Sequence, residues 1–167
     1  AEQASPAMTS KGPGFAARTT TSIQLGVGLL RDHVPVALGA DAAARPSDAV
    51  LLRYTTDQEG FAYVLRVDPT GALEVVHGTP TLPGTHHVTV GGQIVGYPLA
   101  DLAGPQRFAV AWSHDPWPAS ETLGQAAEAP VGLAEALRAD GAFPRTLRGP
   151  LAGIVADARD IVVDGVR

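Results

Sequence analysis

The sequence predicts an all-β fold, an antiparallel, immunoglobulin-like β-sandwich of about seven strands with one or two short C-terminal helices. Three observations lead there. Apolar and polar residues alternate with a period of two in several segments. Clusters of Gly, Pro and Asp separate these segments at intervals of roughly 8 to 15 residues. Helical signals gather near the C-terminus instead of alternating with strands, which argues against βα units.

Residues 1–21, AEQASPAMTSKGPGFAARTTT, are small, polar and rich in Pro and Gly without periodicity, and are expected to form a flexible N-terminal linker. SIQLGVGLLR follows. Ile23, Leu25, Val27 and Leu29 alternate with Ser22, Gln24, Gly26 and Gly28, a strand with one buried face. HVPVAL (33–38) continues as a short edge strand, because Pro35 has no N–H for a central ladder. GADAAARPSD is a loop leading into a strand over Ala49–Thr55.

In GFAYVLRVDPTGALEVVH (60–77), Phe61, Tyr63, Leu65 and Val67 fall on one face and Ala62, Val64, Arg66 and Asp68 on the other. DPTG turns the chain: Pro69 suits the first central position of a type I turn and Gly71 accepts the left-handed conformation of a bulged hairpin. Ala72–His77 then returns antiparallel. GTPTLPGTHHVTVGG is a long connection with room for one short strand, and Gln93–Leu99 is a strand ending near Pro98. After the DLAGPQ turn, Arg107–Ser113 is almost wholly apolar and should lie centrally.

The C-terminal part carries the helices. In VGLAEALRADG, Val131, Leu133, Ala134 and Leu137 share a helical face and Gly141 stands where a stop belongs. PLAGIVADARD is expected as a second short helix and DIVVDGV as a last strand. The organisation is therefore a linker (1–21), a sandwich (22–117) and a helical appendage with a final strand packing on it (118–167).

Bulk properties exclude several functions. The net charge is -5 and the twelve basic residues, eleven of them arginine, are scattered singly; a nucleic-acid partner needs a basic stripe. No cysteine is present, which removes disulfides, thiolate nucleophiles and zinc-thiolate sites. No apolar run approaches the ~20 residues of a membrane helix, so direct membrane insertion is not expected. No cofactor is expected either: Gly26-Val27-Gly28 lacks the third glycine and following helix of a dinucleotide loop. A bulge or a close backbone approach explains these glycines more simply.

Catalytic candidates are few. Ser113-His114-Asp115 contains the letters of a hydrolase triad, but adjacent residues on an extended strand diverge. The carboxylates Asp57, Glu59, Asp68 and Glu74 sit at or beside a hairpin, as surface acids do. Of the five histidines, His86 and His87 would point to opposite faces of a strand; a metal, if held, would use His77 and His86. Solvated loop histidines are the simpler reading. Trp117, between Pro116 and Pro118 after the central strand, either covers the end of the sandwich or joins Tyr97 and Tyr54 in an exposed aromatic patch for a partner.

With SKGPGF, GADAAARPSDAVLLRYTT, GFAYVLRVDPTGALEVVH and GGQIVGYPLADLAGPQRFAVAWSHDPW in this order, the chain resembles the extracytoplasmic β-sandwich domains of unknown function found in myxobacterial anti-sigma-factor-like proteins. These domains often stand behind a zinc finger and one membrane helix; related ones occur beside bacterial kinases and caspase-like peptidases. The residues in hand carry neither finger nor membrane helix, and the adjacent His86 and His87 depart from the pattern, so an anti-sigma role attaches to no residue here.

The resemblance implies a non-catalytic sensing or protein-interaction module, periplasmic or extracellular, within a larger membrane-anchored regulatory protein, with a protein or peptide partner. A structural component of a secreted or surface assembly is the first alternative. A histidine-dependent metal-binding protein or hydrolase is the second.

Overall fold

The computed structural model describes residues 22–37, 43–90, 93–94, 97–98, 104–123, 125–138 and 143–163. The expected linker, 1–21, and the SKGPGF motif lie outside them. The strands are β1 (Ile23–Arg31), β2 (Val34–Ala37), β3 (Ala43–Ala44), β4 (Ala49–Thr56), β5 (Gly60–Val67), β6 (Leu73–Thr81), β7 (Gly84–His87), β8 (Thr89–Val90), β9 (Gln93–Ile94), β10 (Tyr97–Pro98), β11 (Gly104–Ser113), β12 (Arg145–Thr146) and β13 (Val155–Val163). Among the described residues one helix, α1 (Leu133–Arg138), and a 3-10 turn (Gly149–Leu151) precede the last strand. Among the described residues no helix is long and apolar enough to cross a membrane.

The fold is an all-β, mostly antiparallel sandwich. One sheet runs β2-β1-β4, with β7 and β10 both pairing along the far side of β4. The other runs β6-β5-β11-β13, with β12 and β3 at opposite ends of β13. Between the sheets lie Ile23, Leu25, Leu29, Val50, Leu52 and Tyr54 from the first, and Ala62, Val64, Phe108, Val110, Trp112, Val155 and Ile161 from the second. These are the inward positions of period-two strands, and their burial is the main driving force.

The second sheet is buried on its other face as well. Tyr63, Leu65, Val67, Ala109, Ala111 and Ala156 meet a third layer supplied by Trp117, Ala127, Leu133, Leu137, Leu147, Leu151 and Ile154. The near-continuous apolar runs of β5 and β11 follow from this double burial, since neither face has to be polar. Arginines fasten the layer. Arg107 pairs with Asp160 through two bonds of 2.7 and 2.9 Å and also donates to the Leu137 carbonyl at 2.7 Å. Arg145 donates to the Ala136 carbonyl. Both cations thus serve the C-terminal carbonyls of α1, where the helix leaves acceptors and negative potential.

Expected elements differ in three places: the 78–92 connection holds the end of β6 together with β7 and β8, Gln93–Leu99 is divided into β9, paired with β8, and β10, paired with β4, and a helix is replaced by a strand. The segment foreseen as a second helix gives only the 3-10 turn, and the chain is extended from Val155 onward. The alanines and arginine suit a helix, but pairing with β11 over nine residues, Gly104↔Val163 to Trp112↔Val155, supplies a continuous ladder along one side of the segment, β12 and β3 pair its two ends on the other, and Val155 and Ile161 are buried in addition.

Two turns set the registers. At Asp68–Gly71, Gly71 donates to the Asp68 carbonyl at 2.9 Å and has φ +91, while Asp68 Oδ1 accepts the Thr70 and Ala72 amides; this is the bulged type I hairpin expected from DPTG. Between β1 and β2, Asp32 and His33 both adopt positive φ, 52 and 66, closing a two-residue hairpin of type I′ geometry without glycine.

Candidate functional site

The three aromatic side chains considered for an exposed patch do not form one. Trp117 is 9% exposed and lies flat on Tyr63, ring centroids 3.9 Å apart and planes within 4°. Its backbone N–H donates to the Tyr63 hydroxyl at 2.7 Å. Opposite Tyr63 stands Gly78, where a Cβ would come within 2.7 Å of the ring; the glycine is the seat of the stack. Tyr54 is 2% exposed in the inter-sheet core, its hydroxyl 3.4 Å from Thr81 Oγ1. Tyr97 packs half-buried against the same core. Burial leaves these rings no shared surface for a partner.

His77 and His86 belong to different sheets, His77 on β6 and His86 on β7. His86 Nε2 lies 2.6 Å from the Leu82 carbonyl, which fixes that nitrogen as the protonated donor. Burial pushes the His77 pKa down. Among the described residues no three His, Cys, Asp or Glu side chains gather as a metal site would require. Ser113 Oγ donates to the Asp115 carbonyl at 2.9 Å and away from His114, whose ring meets Asp115 in an exposed pair at 3.1 Å. Nucleophile, base and orienting acid are not in series. Glu74 is engaged by Arg66 at 2.6 Å, and Asp57 accepts the Ser22 amide at 2.9 Å.

What the fold does assemble is a depression of about 330 Å3 at one end of the sandwich, lined by Glu59, Phe61, Pro80, Thr81, Leu82 and His114. Three connections converge there: the β4–β5 turn, the β6–β7 turn, and the chain leaving β11. The floor is rigid. Trp112 lies against Gly60, where a Cβ would fall 2.6 Å from the indole, and its Nε1–H donates to the Gln58 carbonyl at 3.2 Å. On the rim Leu82 is 62% exposed. Its carbonyl accepts from both His86 Nε2 and Thr81 Oγ1, at 2.6 and 3.4 Å, so the turn presenting this leucine is fixed on both sides.

Leu82, Phe61 and Pro80 are not singled out by the sequence, where TPTLPGTHH reads as a plain connection. The available signal was local: a histidine four residues after the leucine, beyond a Pro-Gly turn, is within reach of its carbonyl. No family model, no curated protein and no solved structure matches the chain.

Proposed function

We propose that the chain is a non-catalytic, extracytoplasmic sensing or protein-interaction module within a larger membrane-anchored regulatory protein, and that the depression at the Leu82 end receives an apolar side chain of a protein or peptide partner. The observation that supports this reading is Leu82 itself: a large apolar side chain held in water on a turn braced by two hydrogen bonds. Such an anchor loses little freedom on docking and gains the burial of its surface, the pattern of an interface hot spot. Glu59 and His114 at the rim add polar partners that set orientation. The immunoglobulin-like character is part of the proposal, since sandwiches of that kind gather binding loops at one end. The extracytoplasmic placement is supported by the resemblance of the strand-and-turn motifs.

The test is selection of a random peptide library on the full chain. Enriched peptides should carry an apolar residue and lose at least about tenfold in affinity on Leu82→Asp and on Phe61→Ser, with Arg148→Gln, an exposed position just before the 3-10 turn and outside the depression, unchanged. Peptides whose binding is indifferent to both Leu82 and Phe61, or a selection that enriches none, would count against the proposal.

A further inference from the structure

A second opening, chemically unlike the first, lies where β1 meets β13. It is a cleft of about 550 Å3 whose polar lining includes Gln24, Arg53, Thr55, Thr85 and Arg159. β1 pairs with β2 only from Gly28 onward, so the backbone of Leu25 has no strand on that side. Side chains of β13 stand in for one. The Leu25 N–H donates to Asp157 Oδ2 at 2.7 Å, and Arg159 Nε donates to the Leu25 carbonyl at 3.4 Å. From the first sheet, Arg53 faces Gly26 in the β1–β4 register and lies across it: a Cβ on Gly26 would come 2.7 Å from Arg53 Nε and 3.0 Å from its Cγ.

Two guanidinium groups from different sheets therefore converge on the dipeptide Leu25–Gly26. Among the described residues neither forms an ion pair, whereas Arg31, Arg66 and Arg107 each meet a carboxylate within 2.6 to 2.8 Å. Asp157 is the carboxylate of the lining; it is buried, and its oxygens accept the Leu25 and Ala158 amides. The opposite wall offers the Thr55 and Thr85 hydroxyls, 2.8 Å apart. Converging cations repel one another unless an anion lies between them, and planar guanidinium N–H pairs match the oxygens of phosphate and carboxylate. With a net charge of -5, such a site is a local feature and not a consequence of overall charge.

We infer that this cleft is an oxoanion site, taking the phosphate or carboxylate group of a small molecule between Arg53 and Arg159, with the two threonine hydroxyls as further hydrogen-bond partners. It does not depend on the Leu82 end. The test is an amide NMR titration of the full chain at constant ionic strength with inorganic phosphate and, separately, with succinate, which shows which oxoanion the cleft takes.

Saturable shifts centred on Leu25, Gly26, Thr55 and Thr85 are expected with one or both. Arg53→Gln and Arg159→Gln should each weaken binding about tenfold or more. Gly26→Ala, which keeps both charges but displaces Arg53 from β1, should do the same, while Arg148→Gln should not. If Arg159→Gln perturbs the fold, Arg53→Gln and Gly26→Ala decide, because the Asp157–Leu25 bond stays intact in both. Shifts that never saturate with either anion, affinity unchanged by Arg53→Gln and Gly26→Ala, or an equal loss in Arg148→Gln would overturn the assignment. Peptide binding at the Leu82 end should be untouched by these variants, so the two proposals fail separately.

Discussion

Truncating Trp117 to alanine removes an indole that is 9% exposed and stacked at 3.9 Å on Tyr63. Loss of a buried aromatic of this size costs about 3–5 kcal/mol, transfer and cavity terms together. For a domain of this length each kcal/mol lowers the melting temperature by about 2–4 °C, so Trp117→Ala should melt roughly 6–20 °C below the parent. Tyr63→Phe keeps the stack but leaves the buried Trp117 amide, now bonded at 2.7 Å, without that acceptor, a loss of about 1–3 kcal/mol. A double-mutant cycle between Tyr63→Leu, which removes the ring, and Trp117→Ala should return a stacking coupling of about 0.5–1.5 kcal/mol. The assay is thermal unfolding followed by circular dichroism, with the near-ultraviolet band reporting the stack. A Trp117→Ala variant that melts within about 2 °C of the parent, below the loss expected even from 1 kcal/mol, would show that the ring seals nothing and would return Trp117 to the surface.

Other perturbations follow from single features. His33 holds φ +66 in the β1–β2 turn, so His33→Gly should stabilise the protein by about 0.5–1 kcal/mol, the left-handed strain outweighing the added chain entropy; urea unfolding measures it, and a lower midpoint would contradict the turn. The Arg31 guanidinium, hydrogen-bonded to Asp48 through both oxygens, holds the Asp48 carboxyl below its usual range. The stability it contributes is complete above the ordinary carboxylate pKa of about 4 and is lost as pH falls through the lower folded value. Asp48→Asn should flatten the acid limb of a stability–pH curve, and an unchanged limb would refute this. Burial lowers the His77 pKa, so the folded chain takes up that proton less readily than the unfolded one; the contribution is present above about pH 6.5 and fades on acidification. His77→Gln should reduce the loss of stability between neutral and mildly acidic pH.

Legibility in the sequence followed the distance over which each feature is decided. The β1 alternation from Ile23 to Leu29 and the Asp68–Gly71 turn are set by residues next to one another, and they were readable. So was the centrality of β11, because seven consecutive residues with almost no polar member have few other uses. Trp117 was ambiguous because its partner, Tyr63, lies 54 positions upstream and the seat of the stack, Gly78, is on a third segment. The Ala156–Asp160 run was misread for the opposite reason: its local preference is helical, and only the open edge of β11 makes it a strand. The Arg53–Arg159 cleft depends on the register that places Gly26 under Arg53, which no single segment discloses. The Asp32–His33 turn was overlooked because it uses no glycine.

The position of β13 has a consequence for how the molecule is made. The strand nearest the C-terminus pairs with β11 and fills the interior of the double-sided sheet. During synthesis the earlier strands leave the ribosome first, and β11 then waits with a bare row of amides and carbonyls along one edge until residues 155–163 emerge. The nascent chain must be protected over that interval, and a premature stop between Ser113 and Val155 should yield an aggregation-prone product and not a smaller folded domain.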